Sequence, residues 1–200
     1  MNALIFATNN PHKVEEVRAV LSGHWEIISL HEAGIDIDIP EPYNTLEANA
    51  SEKSRVIHQL SGLDCFSEDT GLEVEVLNGE PGVRSARYAG DTRSFDDNID
   101  KLLAKLVNQP NRKARFRTVI SLVLGAKEFQ FEGICLGTII ENKRGKGGFG
   151  YDPVFVPDGD TRTFAEMNTE NKNKFSHRKK AMDRLIAFLD AQRSGDNVRV

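Results

Sequence analysis

The stretch Ala3–Ala7 is apolar and of strand length, and Val14, Val17, Val20 and Leu21 then recur at helical spacing. The pattern predicts a buried strand that turns at once into a helix through Thr8, Asn9, Asn10 and Pro11. A second strand follows at Trp25–Leu30, then a two-proline loop over Asp36–Asn44. Thr45 is a suitable N-cap for a helix running to about Leu60, with a stripe through Leu46, Ala50, Ile57 and Leu60. "DCFSEDTGLEVEVL" starts as an apolar strand and passes through an acidic turn. It then resumes with Leu72, Val74 and Val76 alternating with Glu73 and Glu75. Asn78–Ser94 is a long polar loop. A helix over Asn98–Val107 turns Ile99, Leu102, Leu103 and Leu106 inward. Two long strands, Ala114–Leu124 and Glu128–Ile140, are joined by a hairpin at Gly125–Lys127. A glycine-rich loop, "RGKGGFGYDPVFVP", leads into a short apolar stretch. A last helix from about Ser176 buries Met182, Leu185, Ile186 and Leu189, and the tail frays from Ser194. This order implies a mixed sheet with helices packed on it, in one domain spanning residues 1–200 with room for two lobes.

Composition narrows the class of partner. Apolar residues are 39% of the 200, enough for a substantial core. Lys and Arg total 26 against 30 Asp and Glu, a net charge of −4, which argues against a surface that coats nucleic acid but leaves room for a local basic pocket. The only cysteines, Cys65 and Cys135, sit inside apolar runs and read as small core residues of a cytoplasmic protein. No signal peptide pattern and no apolar run of the ~20 residues needed to span a bilayer is visible, so no membrane partner is expected.

Five places carry candidate chemistry. A strand entering a helix N-terminus presents free N–H groups and the positive end of the helix dipole, where phosphate binds well. Thr8, Asn9 and Asn10 add donors and Lys13 a full charge. The plain alternative is that an asparagine caps the helix and Pro11 takes its favoured first position. Lys53 lies on the apolar stripe of its helix, so it either snorkels out or meets a buried counter-charge, with Asn49 one turn before it. Glu68 and Asp69 are adjacent and would point to opposite faces of a strand. Adjacent carboxylates suit Mg²⁺, a hard cation that keeps several waters, and one of them can take a proton from an attacking water. Glu41 is a further candidate ligand. In "GKGGFGYD" the glycines allow close backbone approach, Phe149 can stack on a base and Asp152 can accept hydrogen bonds. In "NKNKFSHRKK", Lys172, Lys174, His177 and Arg178 gather donors near a helix start, and the planar His177 and Arg178 suit base edges. Together these supply the parts of a nucleoside triphosphate site.

In "ATNNPHK", "TLEANASEK", "SEDTGLEVEVLNGEPGVRSARYAG", "GGFGYDPVF" and "SHR" the chain resembles the inosine triphosphate pyrophosphatase family, nearly end to end and in the family's order. The resemblance implies a mixed α/β fold, two lobes around a long curved sheet and a nucleotide cleft. It also implies a homodimer, dependence on Mg²⁺, and conversion of ITP, dITP and XTP to monophosphate and pyrophosphate. Matched position by position, Thr8, Asn9, Asn10, Pro11, His12 and Lys13 correspond to the triphosphate loop. Asp69 corresponds to the metal-binding general base and Thr70 to an adjoining substrate contact. Phe149, Gly150, Tyr151 and Asp152 correspond to the nucleoside loop, and Lys172, His177 and Arg178 to the base-reading cluster. Mg²⁺ then sits on Asp69 with help from Glu68 or Glu41, and Asp69 activates a water that attacks the α-phosphorus. Lys13 and Lys53 offset the growing charge. Ala48, Arg84 and Asn171 depart from the family pattern, which touches dimer contacts and pocket electrostatics rather than the reaction. Two other readings are a Maf-type nucleotide pyrophosphatase, whose serine- and arginine-rich opening "ATNNPHK" does not match, and a non-catalytic nucleotide-binding regulator.

Overall fold

A computed structural model describes residues 3–21, 25–125 and 127–196. The fold is mixed α/β. Its sheet has strand order β2-β1-β3-β5-β6-β7, with β4 attached to β3. The strands are β1 (Ala3–Phe6), β2 (Glu26–Ser29), β3 (Cys65–Val74), β4 (Pro81–Gly82), β5 (Lys113–Leu124), β6 (Lys127–Ile139) and β7 (Phe155–Pro157). The helices are α1 (Pro11–Leu21), α2 (Leu46–Ser61), α3 (Phe95–Lys105), α4 (Thr169–Asn173) and α5 (His177–Asp196). The chain divides into two compact units. The first takes the chain up to Asp69, Thr118–Gly133 and the part from Arg178 onward; the second takes Thr70–Arg117 and Ile134–His177.

In the first unit β1 pairs in parallel with β2 and with β3. A parallel strand is covered on both faces, which is why Ala3–Ala7 reads as an unbroken apolar run. Leu4 and Phe6 join one core with Val17 of α1, Trp25, Phe66 and Met182, Leu185 and Leu189 of α5. Ile5 and Ala7 join another with Leu30, Ile57 of α2, Cys65 and Val123. Phe6 and Phe66, partners in the ladder, stack with ring centroids 4.5 Å apart. α2 is bounded as its sequence requires. Thr45 accepts the Ala48 N–H, and Gly62, at φ 68°, takes the left-handed residue that closes the helix.

In the second unit α3 turns Ile99 and Leu102 onto a core with Leu72, Val74, Phe116, Ile139, Phe155 and Phe164. The helix starts earlier than its apolar spacing indicates. Ser94 caps it by accepting the Asp97 N–H, so Phe95 is its first residue. β7 pairs antiparallel with β6, and β4 with β3. Within the long polar loop, then, Pro81–Gly82 is a short strand.

β3 is where the hydrophobic pattern misleads. Ser67–Gly71 is not an acidic turn but the middle of a ten-residue strand, with Glu68 and Asp69 buried. The strand stops at Val74, and Glu75–Leu77 is a 3₁₀ turn rather than its alternating end. Gly71 is required by close approach: a Cβ there would lie 2.7 Å from the Gly82 carbonyl oxygen. The hairpin expected at Gly125–Lys127 includes Ala126, which lies outside the described residues. α5 runs on to Asp196, past the point where the tail was expected to fray, and residues 197–200 also lie outside the described residues. Cys65 and Cys135 are buried and unbridged. Among the described residues no helix is long and apolar enough to cross a membrane.

Candidate active site

The first unit assembles three neighbouring features. At the end of β1, the Thr8 hydroxyl accepts the Asn10 N–H at 3.2 Å. The Asn10 side chain accepts the N–H groups of His12 at 3.0 Å and Lys13 at 3.4 Å. Asn10 is thus the N-cap of α1, and Pro11 takes the first helical position, where no N–H is needed. Asn9 donates to the Ile37 carbonyl at 2.7 Å. The capping reading of the loop therefore holds, and the positive charge it offers to an anion is the Lys13 ammonium.

That ammonium lies 3.1 Å from Glu68 Oε1, whose side chain is fully enclosed. Arg178 completes the enclosure, with Nε 2.8 Å from Oε2 and Nη2 2.9 Å from Oε1, the bidentate geometry that suits a carboxylate. Arg178 Nη1 also donates to Glu16. Burial alone would raise the Glu68 carboxyl, but Arg178 and Lys13 outweigh it and hold the group well below the usual carboxylate range.

On the next residue of β3 the balance differs. Lys53 Nζ is 2.5 Å from Glu41 Oε1 and 3.5 Å from Asp69 Oδ1. Lys53 does not snorkel out; it is 7% exposed. Burial works against its charge, yet Asp69 and Glu41 raise its pKa above the ordinary lysine value. Asp69 and Glu41 both face the Lys53 ammonium. Burial raises the Asp69 carboxyl above the usual range, Lys53 opposes the shift and Glu41 adds to it. Asn49 orders the group. It accepts the Tyr43 N–H at 2.9 Å, donates to the Tyr43 carbonyl at 3.1 Å and donates to Asp69 Oδ2 at 3.3 Å. One amide thereby fixes both Asp69 and the loop that carries Glu41.

The second unit assembles a different feature. Gly148 has φ 71°, and a Cβ on it would fall 2.0 Å from Asp152 Oδ2. That oxygen accepts the Phe149 N–H at 2.9 Å and the Lys172 ammonium at 2.8 Å. The same ammonium lies 5.2 Å from the centroid of the Phe149 ring and 5.5 Å from that of Phe164. Phe149 and Gly150 are half-buried, as is Thr70. Tyr151 is a core residue whose hydroxyl donates to the Ser85 carbonyl at 2.9 Å, and burial pushes its pKa upward.

Three sets of expected residues therefore come together: Lys13 with Glu68 and Arg178; Lys53 with Glu41 and Asp69; Phe149 with Asp152 and Lys172. Two expectations gain detail. Each of Lys172, His177 and Arg178, expected as a cluster, has contacts of its own. Lys172 belongs with Asp152, and His177 stacks on Phe116 with centroids 4.7 Å apart. The Arg178 guanidinium is the counter-charge of Glu68 and Glu16, because a carboxylate buried as deeply as Glu68 needs a partner. Glu68, expected as a candidate ligand for Mg²⁺, has its oxygens in contact with Arg178 and Lys13. Two residues of these sets were not assigned from sequence. Asn49 was visible as a polar group one turn before Lys53. Glu16, three residues after Lys13 on the same helix face, gives no local signal that separates it from a solvated glutamate.

Comparison with known proteins places the chain. It is 53% identical to a protein of Porphyromonas gingivalis named dITP/XTP pyrophosphatase, over 94% of this chain and 98% of that one. Among solved structures, the Ham1 protein of Staphylococcus aureus superposes with a TM-score of 0.87 at 38% identity, covering 96% of this chain and all of that one. A HAM1 protein from Coxiella burnetii gives the same TM-score and the same coverage at 34% identity. The model of the Ham1 family matches residues 4–188. With the family's motifs, its fold and nearly its full length present, the chain belongs to the Ham1 family.

Proposed function

We propose that this chain hydrolyses non-canonical purine nucleoside triphosphates (dITP, XTP and ITP) between the α- and β-phosphates, releasing monophosphate and pyrophosphate, with Mg²⁺ as cofactor. The relatives named dITP/XTP pyrophosphatase support the substrate class. The observation that carries the chemistry is the buried carboxylate of Asp69, raised in pKa and sharing one ammonium with Glu41.

Among the described residues no group of three or more His, Cys, Asp or Glu could hold a metal ion by itself. Mg²⁺ commonly takes one or two carboxylates and completes its shell with water and substrate phosphates. Glu41 and Asp69 fit that demand, since two carboxylates there face the one Lys53 ammonium and keep negative charge beyond it, whereas Glu68 faces two cations. Glu68, bound to Arg178 and Lys13, fits it poorly. When bound, the ion would neutralise charge on the phosphate oxygens.

The residues of the chain do the rest. Asp69, with its pKa above the ordinary aspartate value, accepts the proton of the attacking water, and Asn49 holds its carboxylate in orientation. Lys53 and Lys13 offset charge on the leaving pyrophosphate, and Thr8, Asn9 and Asn10 supply polar contacts to the phosphates. Phe149 stacks on the purine. Hypoxanthine and xanthine bear an acceptor oxygen at position 6 where adenine has an amino group. The Lys172 ammonium beside the ring is the donor we assign to that oxygen. The homodimer and cytoplasmic setting that go with the family belong to the same reading.

The test is pyrophosphate release from dITP, XTP and ITP against the canonical nucleotides, with Mg²⁺ and with chelator. A site that pairs the 6-oxygen can discriminate by about 10⁴ between right and wrong edges. Equal turnover of ATP and ITP, or release of orthophosphate in place of pyrophosphate, would overturn the reading.

A further inference from the structure

The aromatic platform of the nucleoside loop has a support outside the family motifs. Phe149 stands in a loop where Gly145, Gly148 and Gly150 all have positive φ, so the local backbone has little stiffness of its own. One end of the loop is docked: the Gly147 N–H donates to the Ala165 carbonyl at 3.0 Å. The other end is held through Asp152 and Lys172. The ring itself is met from the side by Phe95, with centroids 6.2 Å apart and planes inclined by 43°.

Phe95 is an unusual place for an aromatic residue. It continues the stripe of Ile99 and Leu102 one turn toward the start of α3, beyond the buried cluster, and is 43% exposed. A residue kept for the core would be covered. The same turn holds the loop a second time, because Lys143 Nζ lies 2.8 Å from both Asp96 Oδ1 and Asp100 Oδ1. Those carboxylates are largely exposed, so the ion pairs add little energy and mainly restrict where the loop can go.

We propose that Phe95 is a positioning residue for nucleoside binding, which holds the Phe149 ring at the angle a stacked purine needs. This rests on the assignment of Phe149 as the stacking ring. An inclined aromatic pair at this distance contributes about a two- to twelvefold effect in an equilibrium. Support of a ring face does not distinguish base edges. Phe95→Ala should therefore raise KM for dITP and for ATP by a similar factor of about two to twelve, with the larger part of the loss in KM and not in kcat.

The experiment is a double-mutant cycle of Phe95→Ala and Phe149→Ala, read as KM for dITP and as inhibition by inorganic pyrophosphate, with Phe95→Tyr as the conservative variant. Support requires that Phe95→Ala weaken dITP and leave pyrophosphate inhibition unchanged. Phe95→Tyr must restore KM, and the Phe95 effect must shrink once Phe149 is absent. If Phe149→Ala weakens dITP but Phe95→Ala does not, the positioning role falls and the stacking assignment stands. If Phe149→Ala itself has no effect, the stacking assignment falls and takes this proposal with it. Equal loss of pyrophosphate inhibition, or strictly additive effects in the cycle, would mark Phe95 as a general structural residue and overturn the proposal.

Discussion

Replacing Arg178 with methionine tests a charge pair that is almost wholly buried. Arg178 is 2% exposed and Glu68 1%, and the two share two hydrogen bonds of 2.8 and 2.9 Å. Removing one partner of such a pair leaves an uncompensated buried charge and costs about 3–5 kcal/mol. Lys13, 3.1 Å from the same carboxylate, keeps part of the compensation, so the lower half of that range is expected at neutral pH. For a chain of this length each kcal/mol is about 2–4 °C in Tm, which gives a fall of roughly 6–16 °C. The sign of the pH dependence follows from Glu68. In the parent its folded pKa lies below the unfolded value of about 4.3, so its contribution is present above that pH and is lost as pH falls below it. In Arg178→Met, burial pushes the folded value up, and protonation then relieves the penalty. The gap between parent and variant should be widest near pH 7 and narrow below pH ~4, by at most about 1.4 kcal/mol per pH unit. Urea unfolding followed by the single, buried Trp25 measures it. Arg178→Met combined with Glu68→Leu should recover most of the loss, since apolar replacement of a whole buried pair is often neutral. A single variant that loses under 1 kcal/mol, or a double variant that loses the sum of both singles, would refute the reasoning.

Further expectations concern the neighbouring residues. Asp69→Asn should fold and still bind nucleotide, with turnover about 10²–10⁴ lower, as measured by pyrophosphate release. In the parent, activity should fall as pH drops through a pKa above the ordinary aspartate value, because the reactive form is the carboxylate. Lys13→Ala should weaken a non-hydrolysable ITP analogue about tenfold to a hundredfold, the worth of a charge-assisted contact. It should also lower Tm, since Lys13 shields Glu68, and an unchanged Tm would count against that ion pair. Gly71→Ala should cost about 1–3 kcal/mol in urea unfolding, because its Cβ meets the backbone of β4, and a neutral result would mean that β4 shifts freely.

The parts of the fold that were legible in sequence are those set by local chemistry. Thr45 and Gly62 bound α2 because capping needs only the residues beside the helix end, and Pro11 opens α1 for the same reason. The unbroken apolar run of β1 reports a strand covered on both faces. β3 was misread because hydropathy counts Glu68 and Asp69 as surface residues. What buries them are cations brought from afar: Arg178 is 110 residues away in sequence and Lys53 is 16. The same separation explains why Arg178 was grouped with its sequence neighbours Lys172 and His177. Lys53 was readable as a lysine that either snorkels out or meets a buried counter-charge, since its helical position was apolar, and the sequence does not separate the two or show that two carboxylates hold it.

The alternation of Glu68 and Asp69 along β3 has a consequence for how this segment can change over generations. Two consecutive side chains contact two different sets of cations, and a strand sends consecutive side chains to opposite faces. A substitution at either position removes the direct contacts of one set and keeps those of the other. Insertion or deletion of a single residue between Phe66 and Asp69 would exchange the faces, setting the glutamate side chain toward Lys53 and the aspartate, one methylene shorter, toward Lys13 and Arg178. Length variation should therefore be absent from this stretch even among distant relatives.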